Sequence, residues 1–147
     1  VMCGSGIHLD EVKAKAAPNC VFPGWVEKDH IASLSACASL GIAPYFTSIT
    51  YTRNTPNKVG EYLSASLPML VGVTGTMQDL VEKHHCGMYY KDGAELTEAV
   101  LRYYNDPALL EQQSKNARAL YEARFNGDII NQQMLDYVAE VVETYRA

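Results

Sequence analysis

Residues 55–68, TPNKVGEYLSASLP, place a lysine and a glutamate close together near a predicted helix start. Thr55 is a favourable N-cap residue, and Pro56 suits the first helical position. Spacing of i, i+3, i+4 and i+7 predicts the face turned to a core, here Val59, Tyr62, Leu63 and Ser66. Lys58 and Glu61 fall on a different face. The sequence therefore predicts a cation and a carboxylate beside each other near the start of this helix.

This arrangement suits two kinds of role. The start of a helix presents unpaired N–H groups and a partial positive charge, to which Lys58 would add a full charge. A carboxylate one turn further along, Glu61, suits the hydroxyls of a sugar, and phosphate next to ribose is a nucleotide. The alternative is a capped surface helix with a Lys–Glu pair at i, i+3, which stabilises a helix by about 0.2–0.5 kcal/mol. Spacing alone leaves both interpretations open.

The composition is that of an ordinary globular protein of one domain. The chain has 147 residues, of which 48% are hydrophobic and 20% are charged. Its formal net charge of −5 argues against nucleic acid or an anionic membrane as a partner. The sequence contains no apolar run of membrane-spanning length and no signal peptide. It begins without an initiator Met, so we expect a fragment of a longer protein.

Four cysteines occur, and none forms a CxxC pair. Cys3, Cys20 and Cys37 lie within apolar runs, so we expect buried, reduced thiols of a cytosolic protein. Residues 84–86, HHC, have no second ligand pair at zinc spacing. The sequence therefore predicts no metal site.

Short apolar runs alternate with helical patterns through the first part of the chain. Strands are predicted at residues 1–3, 20–22, 42–45, 69–73 and 87–90. Helices are predicted at residues 8–17, 27–40, within 55–68, and at 76–85, 95–104, 107–124 and 127–146. Asp106 is expected to cap the helix that starts at Pro107, and residues 76–79 resemble a capping box. The alternation predicts an α/β fold with a mostly parallel, doubly wound sheet covered on both faces.

Three loops follow predicted strands and carry unusual residues: residues 23–26, 46–57 and 74–76. In parallel sheets, ligands bind at the carboxyl ends of the strands. We therefore expect these loops to converge.

Two segments carry a family resemblance, VFPGWVEKDHIASLSACASLGIAPY and PNKVGEYLSASLPMLVGVTGTMQDLVEKHHCGMYY. In order and register, from about residue 1 to residue 125, the sequence resembles the C-terminal domain of GT-B glycosyltransferases of the family-4 kind. The resemblance implies a Rossmann-like donor-binding lobe that takes a UDP- or GDP-sugar and passes the sugar to a hydroxyl acceptor. Such enzymes are typically retaining and metal-independent, so no cofactor or metal is expected. Residues 61–63 read EYL. This version of the segment around Glu61 resembles that of a bacterial subgroup of the family that makes surface polysaccharides.

The resemblance also implies roles for individual residues. Glu61 matches the family glutamate that binds the ribose hydroxyls. The segment whose backbone amides approach the diphosphate matches Pro56, Asn57, Lys58 and Val59. No residue stands out as a catalytic base, so the catalytic group is unknown.

Further matches concern the base and the transferred sugar. Trp25 and Val26 match the turn whose backbone reads the base edge, and Tyr45 lies in the region near the sugar. Arg53 occupies the position of a second family glutamate, eight residues before Glu61, so the usual acidic group is replaced. Arg53 would contact phosphate or be an exposed loop cation.

The family pattern also divides the chain. It places residues 1–125 in the nucleotide-sugar-binding domain, with the first strand–helix unit missing, and residues 126–147 in a helix that crosses to an absent N-terminal acceptor domain. We therefore expect the isolated chain to be inactive. The crossing helix would lack cover over the apolar residues Ile130, Met134, Val138 and Tyr145. The expected location is cytoplasmic, and association with the inner face of the membrane through the missing part stays open.

Two other functions stay open at this stage. The lobe could belong to another GT-B enzyme, such as a nucleotide-sugar epimerase, whose further catalytic groups lie in the other domain. It could also be a non-catalytic α/β binding domain, which would need neither Lys58 nor Glu61.

Overall fold

The computed structural model describes residues 1–146, and that part of the chain contains eight α-helices and three β-strands. In chain order they are α1 (Leu9–Lys15), α2 (Lys28–Cys37), β1 (Gly41–Ala43), α3 (Ile49–Thr52), α4 (Asn57–Ser64), β2 (Met69–Val71), α5 (Thr76–Lys83), β3 (Gly87–Tyr89), α6 (Gly93–Asn105), α7 (Pro107–Arg124) and α8 (Gly127–Arg146). The chain forms two compact units, one of Val1–Cys37 and one that begins at Ala38.

The second unit is built on a parallel sheet in the order β1-β2-β3. Leu70 of the central strand pairs with Ile42 on one side and Met88 on the other. All three residues of β2 are buried. A strand with helices on both faces reads as a continuous apolar run, which is why the segment MLV forms the centre of the sheet.

Helices cover both faces of this sheet. Met69 and Val71 face one core cluster, which also contains Val59 and Leu63 of α4. The remaining buried members of that cluster are Ala43, Val73, Met77, Val81, Cys86, Ala117 and Leu120. Leu70 points to the other face, where it packs in a second cluster with Tyr90, Ala99 and Tyr103. The predicted α/β class with a parallel sheet covered on both faces is therefore confirmed.

Aspartates cap the two helices that follow the sheet. Asp92 accepts hydrogen bonds from the N–H groups of Ala94 and Glu95, both at 3.0 Å, and thereby caps α6. Asp106 accepts from the N–H of Leu109 at 3.0 Å and caps α7, whose first residue is Pro107. The predicted start of α7 is confirmed.

The predicted capping box at residues 76–79 is wrong. The N-cap of α5 is Gly75, and no side chain caps this helix start. The Thr76 hydroxyl donates instead to the carbonyl of Thr52, 3.1 Å away, so it connects two loops. The loop after β1 also contains a short helix, α3, that the sequence pattern did not predict; Ser48 caps it by accepting from the N–H of Tyr51.

The first unit has less regular structure than predicted. The strands expected at residues 1–3 and 20–22 are absent from the described chain, which has only an isolated parallel bridge between Cys3 and Gly24. Two hydrogen bonds accompany it, from the N–H of Met2 to the carbonyl of Val21 and from the N–H of Gly4 to the carbonyl of Gly24. The helices α1 and α2 have no buried residues.

The prediction of buried thiols is wrong for all three cysteines that it concerned. Cys3, Cys20 and Cys37 are exposed, whereas Cys86 is buried and free. The three exposed thiols all lie in the first unit, whose helices α1 and α2 have no buried residues. An apolar neighbourhood in the sequence does not produce burial without packing partners.

The last helix, α8, is exposed over most of its length. Ile130, Met134, Val138 and Tyr145 are all exposed, as expected for a face without cover. The domain division at residue 125 and the crossing of α8 to another domain stay predictions. None of the helices described within residues 1–146 has both the length and the hydropathy that a membrane span needs.

Candidate functional site

The start of α4 lies one residue later than predicted. Pro56, with φ −61° and ψ 151°, is the N-cap residue in place of Thr55, and the helix begins at Asn57. The extended conformation of Pro56 turns its carbonyl toward the helix, where it accepts from the N–H of Val59 at 2.9 Å. No side chain caps this helix start. Its first N–H groups are therefore not covered by a side-chain oxygen, as an anion site at a helix N-terminus requires.

The four residues of the predicted diphosphate segment differ in what they can donate. Pro56 has no N–H. The N–H of Val59 already bonds to Pro56, and the Val59 side chain is buried in the core. The backbone N–H groups of Asn57 and Lys58 are therefore the two donors of this segment that a bound anion could use.

One side of α4 lines an open cleft of about 500 Å³. Glu61 is exposed there, and the other lining residues are Thr55, Pro56, Asn57, Gly60, Ser64, Tyr121 and Phe125. Lys58 is exposed but does not line this cleft. The cleft thus combines a carboxylate, hydroxyl and amide side chains, the ring of Tyr121 in α7 and the ring of Phe125 at the C-cap of that helix.

Lys58 and Glu61 do not form the ion pair that the alternative interpretation of this helix expects. Among the side chains described within residues 1–145, the ion pairs join Lys15 to Glu11, Lys91 to Glu95, Lys115 to Glu111 and Arg118 to Glu122, and His8 Nδ1 lies 3.5 Å from a carboxylate oxygen of Glu11. Both charged groups at the start of α4 consequently remain available to a ligand.

Two of the three loops expected to converge do so. The loop after β2 reaches the end of α3 through the hydrogen bond from Thr76 to Thr52. Gly75 adopts φ +86° there, and a Cβ on it would lie 2.4 Å from the carbonyl oxygen of Thr52. Only a glycine fits this approach, because any side chain would separate the two loops. The third loop, residues 23–26, lies in the first unit, where Trp25 is exposed and Val26 is half-buried.

The loop after β1 carries an aromatic cluster. The rings of Tyr45 and Tyr51 stack with their centroids 4.8 Å apart, and Phe46 meets Tyr51 edge-on at 5.5 Å. Burial raises the pKa of Tyr45 above its usual value, and the charges of Tyr51 and Glu61 act in the same direction. The Tyr45 hydroxyl therefore stays protonated at neutral pH and lies within the field of Glu61.

Arg53 ends α3 and is exposed, as either of its predicted roles requires. His84 ends α5, where burial and then the charges of Arg124, Lys83 and His85 lower its pKa. In the described part of the chain, no three His, Cys, Asp or Glu side chains are placed to hold a metal ion.

Tyr121 and Phe125 line the cleft, although no motif in the sequence marks them. Both are half-buried and contact the core cluster that contains α4. Their i, i+4 spacing near the end of α7 places them on one helix face, which is the signal that could have identified them.

Comparisons with known proteins agree with this architecture. The profile of a family described as "Glycosyl transferases group 1" matches residues 1–106. A solved structure of sucrose-phosphate synthase from Thermosynechococcus elongatus is similar, with a TM-score of 0.76 and 21% sequence identity, over 92% of this chain and 33% of that chain. No curated protein sequence matches.

The structural similarity, at this identity, is one of fold, and it matches the Rossmann-like α/β lobe of a GT-B glycosyltransferase. This chain spans about a third of the length of that synthase. The family profile covers well over half of the chain. The chain therefore belongs to the glycosyl transferases group 1 family.

Proposed function

We propose that this chain is the donor-binding lobe of a glycosyltransferase that moves a sugar from a UDP- or GDP-sugar to a hydroxyl acceptor. The observation that carries this proposal is the position of Glu61, which lies in an open cleft beside the uncapped start of α4. A diol and a diphosphate, the two recognition features shared by all such donors, match a carboxylate and a helix N-terminus.

The diphosphate is the leaving group, and its negative charge grows during transfer. The backbone N–H groups of Asn57 and Lys58 and the Lys58 ammonium group would stabilise that charge. Fixed donors are effective here because they need no reorganisation as the charge develops. With these donors in place, the lobe would need no metal ion to stabilise the diphosphate. The family resemblance also implies that transfer is retaining.

Glu61 would position the donor and take no part in bond making. A carboxylate has two oxygens and can accept one hydrogen bond from each hydroxyl of a ribose. Fixing the ribose fixes the diphosphate attached to it, so the contribution is one of orientation. Tyr45, in the loop after β1, would lie near the transferred sugar, as the family resemblance implies, and the charge of Glu61 contributes to raising its pKa.

The acceptor would be bound by another part of a longer protein. The similar synthase is about three times as long as this chain, and a transferase needs a second surface to hold the attacking hydroxyl. We place the activity in the synthesis of surface polysaccharides, on the basis of the EYL segment around Glu61. We expect the 147-residue chain alone to bind donor nucleotide without transferring sugar.

Calorimetric titration of this chain with UDP, GDP and ADP tests the proposal. We expect either UDP or GDP to bind. Glu61→Ala should weaken that binding at least about tenfold, because two hydrogen bonds to a charged acceptor are lost. Glu98→Ala is the matched control, since Glu98 is an exposed glutamate of α6 that does not line the cleft. Binding that is unaffected by Glu61→Ala, or equally weakened by Glu98→Ala, would contradict the proposal.

A further inference from the structure

Three residues, Thr52, Gly75 and Thr76, form the contact between the loop after β1 and the loop after β2, here the interloop contact. The Thr76 hydroxyl donates to the carbonyl of Thr52 at 3.1 Å, and a Cβ on Gly75 would lie 2.4 Å from the same oxygen. Gly75 also adopts φ +86°, which residues with a side chain rarely tolerate. The two loops therefore approach each other more closely than any residue but glycine allows at position 75.

The loop after β1 depends on such contacts for its shape. Its helix α3 has four residues, and a single helical turn is not stable without outside contacts. The ring of Tyr51 is half-buried against the core and stacks on Tyr45 with the centroids 4.8 Å apart. The interloop contact holds Thr52, the last residue of α3, and so it fixes the point from which the chain continues to α4.

The direction of α4 determines which residues a bound sugar would meet. In the proposed function, Glu61 holds the ribose and the N–H groups of Asn57 and Lys58 hold the diphosphate. A donor bound in this way runs from the second turn of α4 toward its start, so the sugar lies beyond the diphosphate, against the residues that precede the helix. The cleft extends in that direction, since Thr55 and Pro56 line it.

The first part of the same loop also lies near the cleft. Burial, and then the charges of Tyr51 and Glu61, raise the pKa of Tyr45, so the Tyr45 hydroxyl lies within the field of Glu61. Residues 45–53 thus form a segment whose beginning is near the proposed ribose site and whose end is held by the interloop contact.

We propose that Gly75 and Thr76 are positioning residues for the sugar of the donor, and that they act through Thr52. Neither lines the cleft, and neither needs to touch the ligand. They hold residues 45–53 where the sugar would bind, and a shift of about 1 Å in such a surface is enough to lose much of its effect. This inference rests on the proposed function and adds to it two residues outside the cleft.

The alternative is that the interloop contact only stabilises the fold. The two roles differ in the part of the ligand that they affect. A purely structural role would lower thermal stability, or weaken the binding of a nucleotide and of its sugar conjugate alike. A positioning role weakens only the contribution that the sugar adds to binding.

The experiment compares a nucleotide with its glucose conjugate, either UDP with UDP-glucose or GDP with GDP-glucose, by calorimetric titration. Thr76→Val removes the hydroxyl but keeps the branched shape, whereas the Cβ of Gly75→Ala forces the loops apart. We expect both variants to bind the nucleotide within about twofold of the wild type. Binding of the glucose conjugate should weaken at least about threefold in Thr76→Val and about tenfold in Gly75→Ala.

Thr97→Val and Gly93→Ala are the matched controls. The Thr97 hydroxyl donates to the carbonyl of Gly93 at 2.8 Å within α6, and a Cβ on Gly93 meets nothing within 4 Å. Both controls should bind both ligands as the wild type does. Thermal melting verifies folding, and Thr76→Val carries the test alone if Gly75→Ala does not fold, because Thr76 is exposed.

Amide chemical shifts of residues 45–53 provide an independent measurement. In the wild type, the glucose conjugate should shift these amides more than the nucleotide does, and the difference should be smaller in Thr76→Val. Equal shifts with the two ligands would place the sugar elsewhere. Equal weakening of the two ligands by Thr76→Val would assign the contact a structural role. Either result overturns the inference.

The inference and the proposed function fail in different ways. If Glu61→Ala abolishes nucleotide binding while Thr76→Val leaves binding of the glucose conjugate unchanged, only the inference is wrong. If the wild-type protein binds no nucleotide, the proposed function is wrong, and the inference with it.

Discussion

The two units of the chain differ in what becomes of their apolar residues. In the second unit, Val59, Leu63 and Leu70 are fully buried. In the first, Ile7 and Trp25 are 96% and 76% exposed, although both units contain apolar runs of similar length. Both units thus carry apolar patterns in sequence, but burial follows only where those residues contact other elements.

The sheet explains much of this difference. In the second unit, β2 has a partner strand on each side and helices on both faces, so each of its apolar side chains has neighbours. In the first unit, the strand segments make one bridge and two flanking hydrogen bonds. We therefore expect the second unit to carry most of the free energy of unfolding.

Thiol labelling should show the largest contrast between the units. Cys3, Cys20 and Cys37 are exposed and should react with iodoacetamide within minutes, as open thiols do, whereas Cys86 is buried in the core cluster that contains α4. Labelling of Cys86 needs an opening of the core that costs several kcal/mol, so we expect its rate to be lower by more than about a thousandfold. Mass spectrometry of peptides at successive times measures each site.

The control for this experiment is the protein in denaturant, where all four thiols should react at similar rates. If Cys86 reacts as fast as Cys20 in the native protein, the second unit is not the stable part and the comparison fails.

A matched pair of leucine substitutions should give the next largest contrast. Leu63 of α4 is fully buried, whereas Leu34 of α2 is half-buried. Leu63→Ala should lower the free energy of unfolding by about 2–5 kcal/mol, because it removes buried methyl groups and leaves a cavity. Leu34→Ala should cost less than about 1 kcal/mol, since less apolar area leaves water at that position. Urea denaturation followed by circular dichroism measures both.

Similar losses from the two substitutions would mean that α2 is packed as firmly as α4. The two units would then contribute similarly to the free energy of unfolding, even if their thiols react with reagent at different rates.

The sequence predicted the second unit well for identifiable reasons. The spacing of Val59 and Leu63 identified the buried face of α4, and Asp106 followed by Pro107 marked the start of α7. These signals are local, because they depend on helix geometry and on side chains that bond to their own backbone. The same is true of β2, whose short apolar run is bounded by Pro68.

Other features depend on contacts that a pattern does not contain. Thr55 has the chemistry of a cap, but the extended Pro56 moves the helix start one residue further. Thr76 is also a favourable N-cap residue, yet its hydroxyl donates to the carbonyl of Thr52, a residue distant in sequence. Cys3 lies in an apolar run but is exposed. In each case a non-local or backbone constraint prevailed over a local preference.

The residues of the candidate site also fall into two groups, those that local sequence identifies and those that only tertiary packing brings to the cleft. Glu61 could be selected from its place on a predicted helix and from a family motif, and its role stays a prediction. Tyr121 and Phe125 could not, because they come to the cleft only when α7 packs against α4 through Ala117 and Leu120. The residues of a cleft wall contributed by a distant helix are set by tertiary packing, which one sequence does not reveal.

The pH dependence of stability gives the smallest and most specific contrast. Burial raises the pKa of the Cys86 thiol to about 11 from an ordinary value of 9.0. Between these values the unfolded chain releases the thiol proton and the folded chain retains it, so the free energy of unfolding falls as pH rises. The slope for one proton is at most about 1.4 kcal/mol per pH unit. As pH approaches and passes 10, Tyr45, Tyr90 and Tyr103 add to the loss, because burial also raises the pKa of each.

Urea denaturation at intervals between about pH 8 and 9.3 reports mainly on the thiol, because an unfolded tyrosine, with a pKa near 10, is still mostly protonated there. The wild type should lose stability across this interval, and Cys86→Ala should lose less, although it begins from a lower value because of the cavity. Cys20→Ala is the matched control, since Cys20 is exposed and lies in the first unit. If Cys86→Ala and Cys20→Ala keep the same slope as the wild type, the core around Cys86 admits water, and the burial that separates the two units is less complete than the structure indicates.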